Sequence, residues 1–443
     1  MRLLHTSDWH LGASLDGVSR EPDHQLFLDW LVATLDREAI DALVIAGDVF
    51  DVAQPSAEAQ RAYFRFLANA ARTGVRAIIV IGGNHDSASR LDAPAELLGT
   101  LAIHVVGGIE TGDDAARQDR ALCPVRDADG RVIGVVVAVP YVHEYRLGVR
   151  PTAGDNQATR RDLHKAFKAL YKQLATAAAA RWPGVPLVAT GHLTAAGVAP
   201  GDYGAAIHQL DRLGTLPGGI FDPRYDYVAL GHLHRSFRVA ASNAWYSGSP
   251  IPLRLNETAE PRRVLRVELP APGEGAEVTP LLVPPARDLV ELAGPPEAVA
   301  TALRALSSTA PLPPLVYARL AVESYDPGAP AALYAALDAH KDDARRPRLV
   351  SVRQDAPAPA EGAEEEATPA LPRLRELSPE DVFRRVCDQA AESVDDALLA
   401  AFRELLHEAG SAASASAVEA ATTRPGPARQ QELLPLSAEE GRS

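Results

Sequence analysis

Short unbroken apolar runs, each closed by a glycine or polar turn, dominate the first 255 residues. Such runs near 2–7, 42–46, 76–81, 132–139, 186–190 and 227–230 predict strands. They are β-branched or aliphatic, too short for helices, and apolar on both faces. Between them, stretches near 22–38, 56–73 and 159–181 repeat apolar residues at helical spacing; the first carries Leu26, Leu28, Trp30, Leu31 and Leu35. Alternating strands and helices predict an α/β layered domain, 1–255, with any site beyond the carboxyl ends of its strands.

The pattern changes after Pro250-Ile251-Pro252. Residues 256–353 show strands near 263–269, 315–322 and 349–352 and a helix near 296–306, which predicts a smaller α+β domain. Residues 354–377 are rich in Pro, Ala and Glu, the composition of a flexible linker. A helix pair is expected over 378–410. Ser378-Pro379-Glu380-Asp381 is a helix start, followed by Val382, Phe383 and Val386 on one face. Leu398, Leu399, Phe402, Leu405 and Leu406 form the second apolar stripe. A pair this small buries itself poorly and is expected to dock on a partner. Residues 411–443 read as a disordered tail.

Charge and cysteine usage narrow the picture. The chain of 443 residues has a net charge of −14. Residues 1–255 hold 25 basic against 27 acidic side chains, and residues 256–443 hold 19 against 31. The acidity lies mostly in the second part, so the overall sign does not exclude nucleic acid at the first. No apolar run reaches the roughly 18 residues of a membrane span, and the first residues read as a strand rather than a signal peptide. Cys123 and Cys387 are far apart, which argues against a disulfide framework and fits a cytoplasmic location.

Five predicted strands run into metal-ligand residues: Asp8-Trp9-His10, Gly47-Asp48, Gly83-Asn84-His85-Asp86, Gly191-His192 and Gly231-His232-Leu233-His234. Each segment alone is unspecific, since Asp-x-His or Gly-Asn-His-Asp is often only a turn. All five together, each after a strand, are not a chance set. Asp8, His10, Asp48, Asn84, His192, His232 and His234 are enough for two metal ions sharing one carboxylate, with Asp48 the natural bridge and His85 left over. Carboxylate, imidazole and amide oxygen suit Mn²⁺ or Fe²⁺, with Zn²⁺ an alternative. A solvent-facing two-metal site is a device for attacking phosphate esters.

The flanks of these segments resemble the calcineurin-like metallophosphoesterase superfamily. Within it, Leu4-His5-Thr6-Ser7-Asp8-Trp9-His10-Leu11-Gly12, Ala46-Gly47-Asp48-Val49-Phe50-Asp51, Gly83-Asn84-His85-Asp86-Ser87, Ala189-Thr190-Gly191-His192-Leu193-Thr194 and Ala229-Leu230-Gly231-His232-Leu233-His234-Arg235 are similar to the bacterial SbcD nuclease-subunit family, as is Tyr246-Ser247-Gly248-Ser249-Pro250-Ile251-Pro252. The resemblance implies an α/β fold, a β-sandwich flanked by helices, with a smaller capping domain and a C-terminal helix pair. It implies two Mn²⁺ ions, one held by Asp8, His10, Asp48 and His234, the other by Asp48, Asn84, His192 and His232. His85 would act on the scissile phosphate and Asp86 would orient its ring. Asp51, where archaeal and eukaryotic relatives often have His, is left outside the ligand set.

The family also implies a 3′→5′ double-strand exonuclease and single-strand or hairpin endonuclease, working with DNA and an SbcC-type ABC ATPase whose coiled coil the helix pair 378–410 would bind. A homodimer within a heterotetramer is implied, with Tyr63, Phe64, Phe66 and Leu67 as candidate contacts against ordinary core packing. The same metal segments would also serve a phosphomonoesterase or cyclic-nucleotide phosphodiesterase; the extra domain and helix pair favour the nuclease. In the tail, Gln431, Leu434 and Leu436 resemble the peptide with which bacterial proteins dock on the replication sliding clamp. Trp9 either packs its loop or stacks a base. His5 is expected in the core, and His24, His104, His143, His164, His208, His340 and His407 at the surface or in structural roles.

Overall fold

The computed structural model describes residues 1–109, 114–149, 156–195, 216, 218–240, 242–323, 326–355 and 398–399. The chain begins with β1 (Arg2–Thr6), the small hairpin β2 (Ser14–Leu15) and β3 (Val18–Ser19), and α1 (Glu21–Arg37). It continues through β4 (Ala42–Ala46), α2 (Ala57–Ala70), β5 (Ala77–Ile81), the short helices α3 (Ala88–Asp92) and α4 (Ala95–Gly99), and β6 (Ile103–Val106). Next come α5 (Asp114–Ala121), β7 (Leu122–Arg126), β8 (Val132–Val137), α6 (Asn156–Arg181), β9 (Leu187–His192) and β10 (Tyr227–Gly231). Then follow β11 (Phe237–Arg238), β12 (Ala244–Tyr246), β13 (Arg263–Glu268) and β14 (Glu277–Leu282). The last elements are β15 (Leu289–Gly294), α7 (Pro296–Ala305), β16 (Leu315–Ala321), α8 (Ala329–Leu337) and β17 (Arg348–Asp355).

Two six-stranded sheets stack face to face. One has the order β14-β13-β1-β4-β5-β6, the other β11-β12-β10-β9-β8-β7. Val44, Ile79 and Leu265 of the first meet Val136, Val188 and Tyr227 of the second in a fully enclosed layer. Each aliphatic side chain buried there contributes about 2 kcal/mol. Helices α1 and α2 cover the outer face of the first sheet, and α6 covers the second. β4 and β5 are buried at every residue, as expected of strands covered on both faces. Ser56 caps α2, its hydroxyl accepting from the Ala59 amide at 3.1 Å.

Strands β1, β4, β5 and β6 run parallel in the first sheet, as do β8, β9, β10 and β12 in the second. β7 and β14, both unpredicted, contain Pro124 and Pro280 and lie at sheet edges. Proline, with no amide hydrogen, is tolerated at an edge.

Three expectations change. β13, assigned by sequence to the second domain, pairs antiparallel with β1 and brings β14 with it. The first sheet therefore continues past residue 255. The smaller unit begins near β15, and it alternates β15-α7-β16-α8-β17 with parallel pairing, an α/β rather than an α+β arrangement. Tyr63, Phe66 and Leu67 are buried against the first sheet, so only Phe64, 40% exposed, remains of the proposed dimer contacts.

Arg287, just ahead of β15, ties the smaller unit to α1. Its Nε donates to Asp23 Oδ1 at 2.9 Å and its Nη2 lies 2.7 Å from Asp23 Oδ2. Arg20 reaches the same carboxylate at 2.9 Å and donates to the Pro252 carbonyl at 2.7 Å. Leu15, Leu315 and Tyr317 form a small apolar seam beside it. Beyond residue 355 only Leu398 and Leu399 are described, so most of the predicted linker, the helix pair and the tail lie outside the described residues. Among the described residues, no helix is long and apolar enough to cross a membrane.

Candidate metal centre

Parallel strands bring their carboxyl ends to one rim, and all five polar segments meet there. β1 leads to Asp8 and His10, β4 to Asp48, β5 to Asn84 and His85, and β10 to His232 and His234, while β9 ends on His192. Sheet-like pairing continues into the loops: Asp8, His10 and Leu11 donate to the carbonyls of Gly47, Asp48 and Val49 at 2.9–3.0 Å. Asp8, His10, Asp48 and His232 all have positive φ, at 53°, 50°, 48° and 97°. Such backbone costs about 1–3 kcal/mol per residue and is held only where surrounding contacts impose it. Gly83 must be glycine: a Cβ there would run into the Asp48 carboxylate and amide.

The side chains form one cluster. His10 Nε2 is 3.5 Å and His192 Nε2 3.3 Å from Asp48 Oδ2. Asn84 Oδ1 lies 3.0 Å from both His192 Nε2 and His232 Nδ1. Potential ligand atoms of Asp8, His10 and His234 converge within 4.8 Å, as do those of Asp8, Asp48 and His192. Asp8 Oδ1 also accepts the His232 amide at 2.9 Å. A cavity of about 190 Å³ opens on the cluster, lined by His10, Asp48, His85, His232, His234 and Arg254 among others.

This donor set fits divalent cations. His10 Nε2 is buried without a hydrogen-bond partner. The Nδ1–H of His192 donates to the Ala46 carbonyl at 2.9 Å, which leaves Nε2 facing Asp48 Oδ2 at 3.3 Å and Asn84 Oδ1 at 3.0 Å, where it holds a proton or, without one, would bind a metal. An imidazole nitrogen with two acceptor oxygens within 3.3 Å of it is a donor set for a cation. Charge behaves accordingly. Burial raises Asp48, but attraction and a hydrogen bond from His192, with His10 and His85, hold it below the usual carboxylate range. Burial lowers His192, and Asp48 more than reverses this, to about 9. His232 is pushed down to about 3 by burial and then by His192.

Residues 1–236 match the model of the calcineurin-like phosphoesterases, and residues 285–391 match an SbcD C-terminal model described as the type 5 capsule protein repressor C-terminal domain. The chain is 39% identical over 274 residues to the SbcD component of nuclease SbcCD from Rhodobacter capsulatus, covering 61% of this chain and 66% of that one. It is 35% identical over 298 residues to the Escherichia coli counterpart, covering 66% and 71%. The Bacillus subtilis counterpart is 32% identical over 298 residues, covering 66% and 72%. The chain belongs to the SbcD family of calcineurin-like phosphoesterases.

Within this SbcD-family site, one expected role fails. Asp86 does not orient His85. Its oxygens accept three backbone amides, Gly83 at 2.8 Å, Phe50 at 2.9 Å and Val49 at 3.1 Å. It staples the Asp48 loop to the Asn84 loop. Burial and then Asp48 push its carboxyl up to about 6 against those amides. The His85 ring is instead held by the Asp51 carbonyl, to which Nδ1–H donates at 2.7 Å, and the His85 amide donates to Asp48 Oδ1 at 2.9 Å. Asp51 also bonds His10 Nδ1 through Oδ1 at 3.2 Å.

Two residues escaped the sequence reading. Glu257 accepts from His234 Nδ1 at 2.9 Å and from the Leu253 amide at 2.9 Å, so it orients that ring as carboxylates do behind metal-ligating histidines. It lies 23 residues downstream with no motif of its own. Arg254 is the one permanent cation among the lining residues described. Trp9 is fully buried, edge-on to Phe27 and Phe66, so it packs its loop and stacks no base.

Proposed function

We propose that the chain is the nuclease subunit of an SbcCD-type complex, a Mn²⁺-dependent DNA phosphodiesterase acting as a 3′→5′ double-strand exonuclease and a single-strand or hairpin endonuclease. The observation that carries this is the single rim where Asp8, His10, Asp48, Asn84, His192, His232 and His234 meet below an open cavity. The match of residues 285–391 to the SbcD C-terminal model favours DNA over small phosphomonoesters or cyclic nucleotides.

Asp8, His10, Asp48 and His234 would hold one Mn²⁺, and Asp48, Asn84, His192 and His232 the other. Bound there, the ions would activate water and stabilise developing phosphorane charge. The protein's own groups do the positioning. Asp51 fixes His85 with Nδ1 protonated, so its other nitrogen, Nε2, is the one free to hold or give a proton at a phosphate or leaving oxygen. Glu257 and Asp51 keep Nε2 of His234 and His10 as the ligand atoms. Arg254 at the mouth would steer a phosphate inward.

The remaining parts follow the resemblances read in the sequence. The helix pair 378–410 binds the coiled coil of an SbcC-type ATPase, and two chains form the homodimer of a heterotetramer. The tail docks on a sliding clamp through Gln431, Leu434 and Leu436; loss of Gln431 and Leu434 abolishes that capture, and a wild-type tail that captures no clamp ends the idea. The working location is the cytoplasm, at the nucleoid.

The central test incubates the full chain with Mn²⁺ and a labelled DNA hairpin. His85→Ala is expected to keep both metals by mass spectrometry and to lose about 10²–10⁴ in cleavage rate. Normal cleavage by that variant overturns the role of His85. Turnover of a small phosphodiester with no DNA cutting overturns the nuclease reading.

A further inference from the structure

Aromatic rings leave the metal centre in sequence along the segment after β8. The Tyr141 ring lies 6.4 Å from that of His192, at 80°. His143 is edge-on to Tyr141 at 4.9 Å. Tyr145 stacks on His143 at 5.4 Å and 17°. The Arg146 guanidinium sits over the Tyr145 ring, 5.6 Å from its centroid. Four rings and a cation thus run from a buried candidate ligand to solvent, with spacings inside the range of favourable aromatic contacts.

The segment is fixed at its base. The Tyr141 amide donates to the Gly82 carbonyl at 2.8 Å, two residues before Asn84. The Val139 amide donates to Thr190 Oγ1 at 2.8 Å, two residues before His192. Leu147 and Val149 pack with Leu163 of α6. With these neighbours in place Tyr145 is still 65% exposed. A ring that far out of the core adds little to folding. With His143 stacked on it and the Arg146 guanidinium over it, the exposed ring and the planar guanidinium together present a flat surface beside a phosphodiester site.

We propose that Tyr145, with Arg146, is a stacking platform for an unpaired nucleobase flanking the scissile phosphate, and that His143 and Tyr141 set its distance from the centre. The inference rests on the nuclease reading and specifies the substrate it prefers. A base can lie on a ring face only when it has left its own stack, so the platform selects single strands, frayed ends and hairpin loops over intact duplex. Stacking tolerates any base, so selection is for unpaired structure rather than sequence.

The test uses the full chain in EDTA, where binding is read without cleavage, and a single-stranded oligonucleotide carrying 2-aminopurine. Wild-type protein quenches the probe on binding. Tyr145→Ala is expected to bind about tenfold more weakly without quenching, while Tyr145→Trp restores both. An abasic oligonucleotide is expected to bind wild type and Tyr145→Ala alike. With Mn²⁺, the ratio of hairpin cleavage to small-diester cleavage is expected to fall in Tyr145→Ala. Equal affinity and equal quenching in wild type and Tyr145→Ala overturn the platform while leaving the nuclease reading intact. Absence of any binding by the wild type, together with no DNA cleavage in Mn²⁺, overturns both.

Discussion

Asp86 shows how a polar side chain next to a candidate catalytic histidine can serve the backbone instead. Three amides converge on its carboxylate, and each one left unsatisfied in a buried loop costs about 1–3 kcal/mol. Asp86→Ala is therefore expected to loosen the Asp48 and Asn84 loops, lowering both the thermal midpoint and the metal retained after gel filtration. A residue that only aligned His85 would leave metal content untouched, so wild-type metal content in this variant would sink the staple. The Gly-Asn-His-Asp segment was legible as a site from sequence. The partner of each polar atom was not, because Asp86 meets Val49 and Phe50 across 36–37 residues of chain.

Helix α1 carries no candidate ligand, yet two of its side chains tie the site's surroundings together. Asp23 is buried between Arg20 and Arg287. Removing one partner from a buried charge cluster typically costs about 3–5 kcal/mol. Asp23→Ala is expected to lose about that much in urea denaturation, because two guanidiniums are left facing each other; a loss below about 1 kcal/mol would contradict the clamp. The next residue, His24, donates to the Trp9 carbonyl at 2.7 Å, and burial pushes its pKa down to about 4. The unfolded chain, with histidine near 6.5, takes up more protons between those values. Stability is therefore complete above pH 6.5 and falls as pH drops toward 4. At pH 5.5 the loss from His24 is about 1 kcal/mol. In EDTA, His24→Gln should lose about that much less than wild type between pH 7.5 and 5.5; identical losses would refute the assignment. From sequence His24 had no partner motif, since its partner is a backbone carbonyl brought in by the fold.

Across the whole molecule, the candidate ligands come from both sheets: Asp8, His10, Asp48 and Asn84 from one, His192, His232 and His234 from the other. Cations bound there would cross-link the two halves of the sandwich. Free Mn²⁺ at about 100 times its dissociation constant should stabilise the protein by about 2.7 kcal/mol per site. Denaturation midpoints that match in Mn²⁺ and EDTA would argue against a metal centre. The sequence by itself determined the strands that lead to the site and the donor residues at their ends, because a run apolar on both faces admits few other structures and a polar segment ending it must face a rim. It also carried the SbcD resemblance through residue 255. Only the tertiary structure decided the rest. β13 returned to pair with β1, since strand partners are chosen by hydrogen bonding at long range rather than by local pattern. Asp51, Glu257 and Arg254 joined the site, and Asp86 left its expected role, for the same reason: in a folded chain a side chain's function follows from the atoms it meets, and those contacts form between segments the sequence keeps far apart.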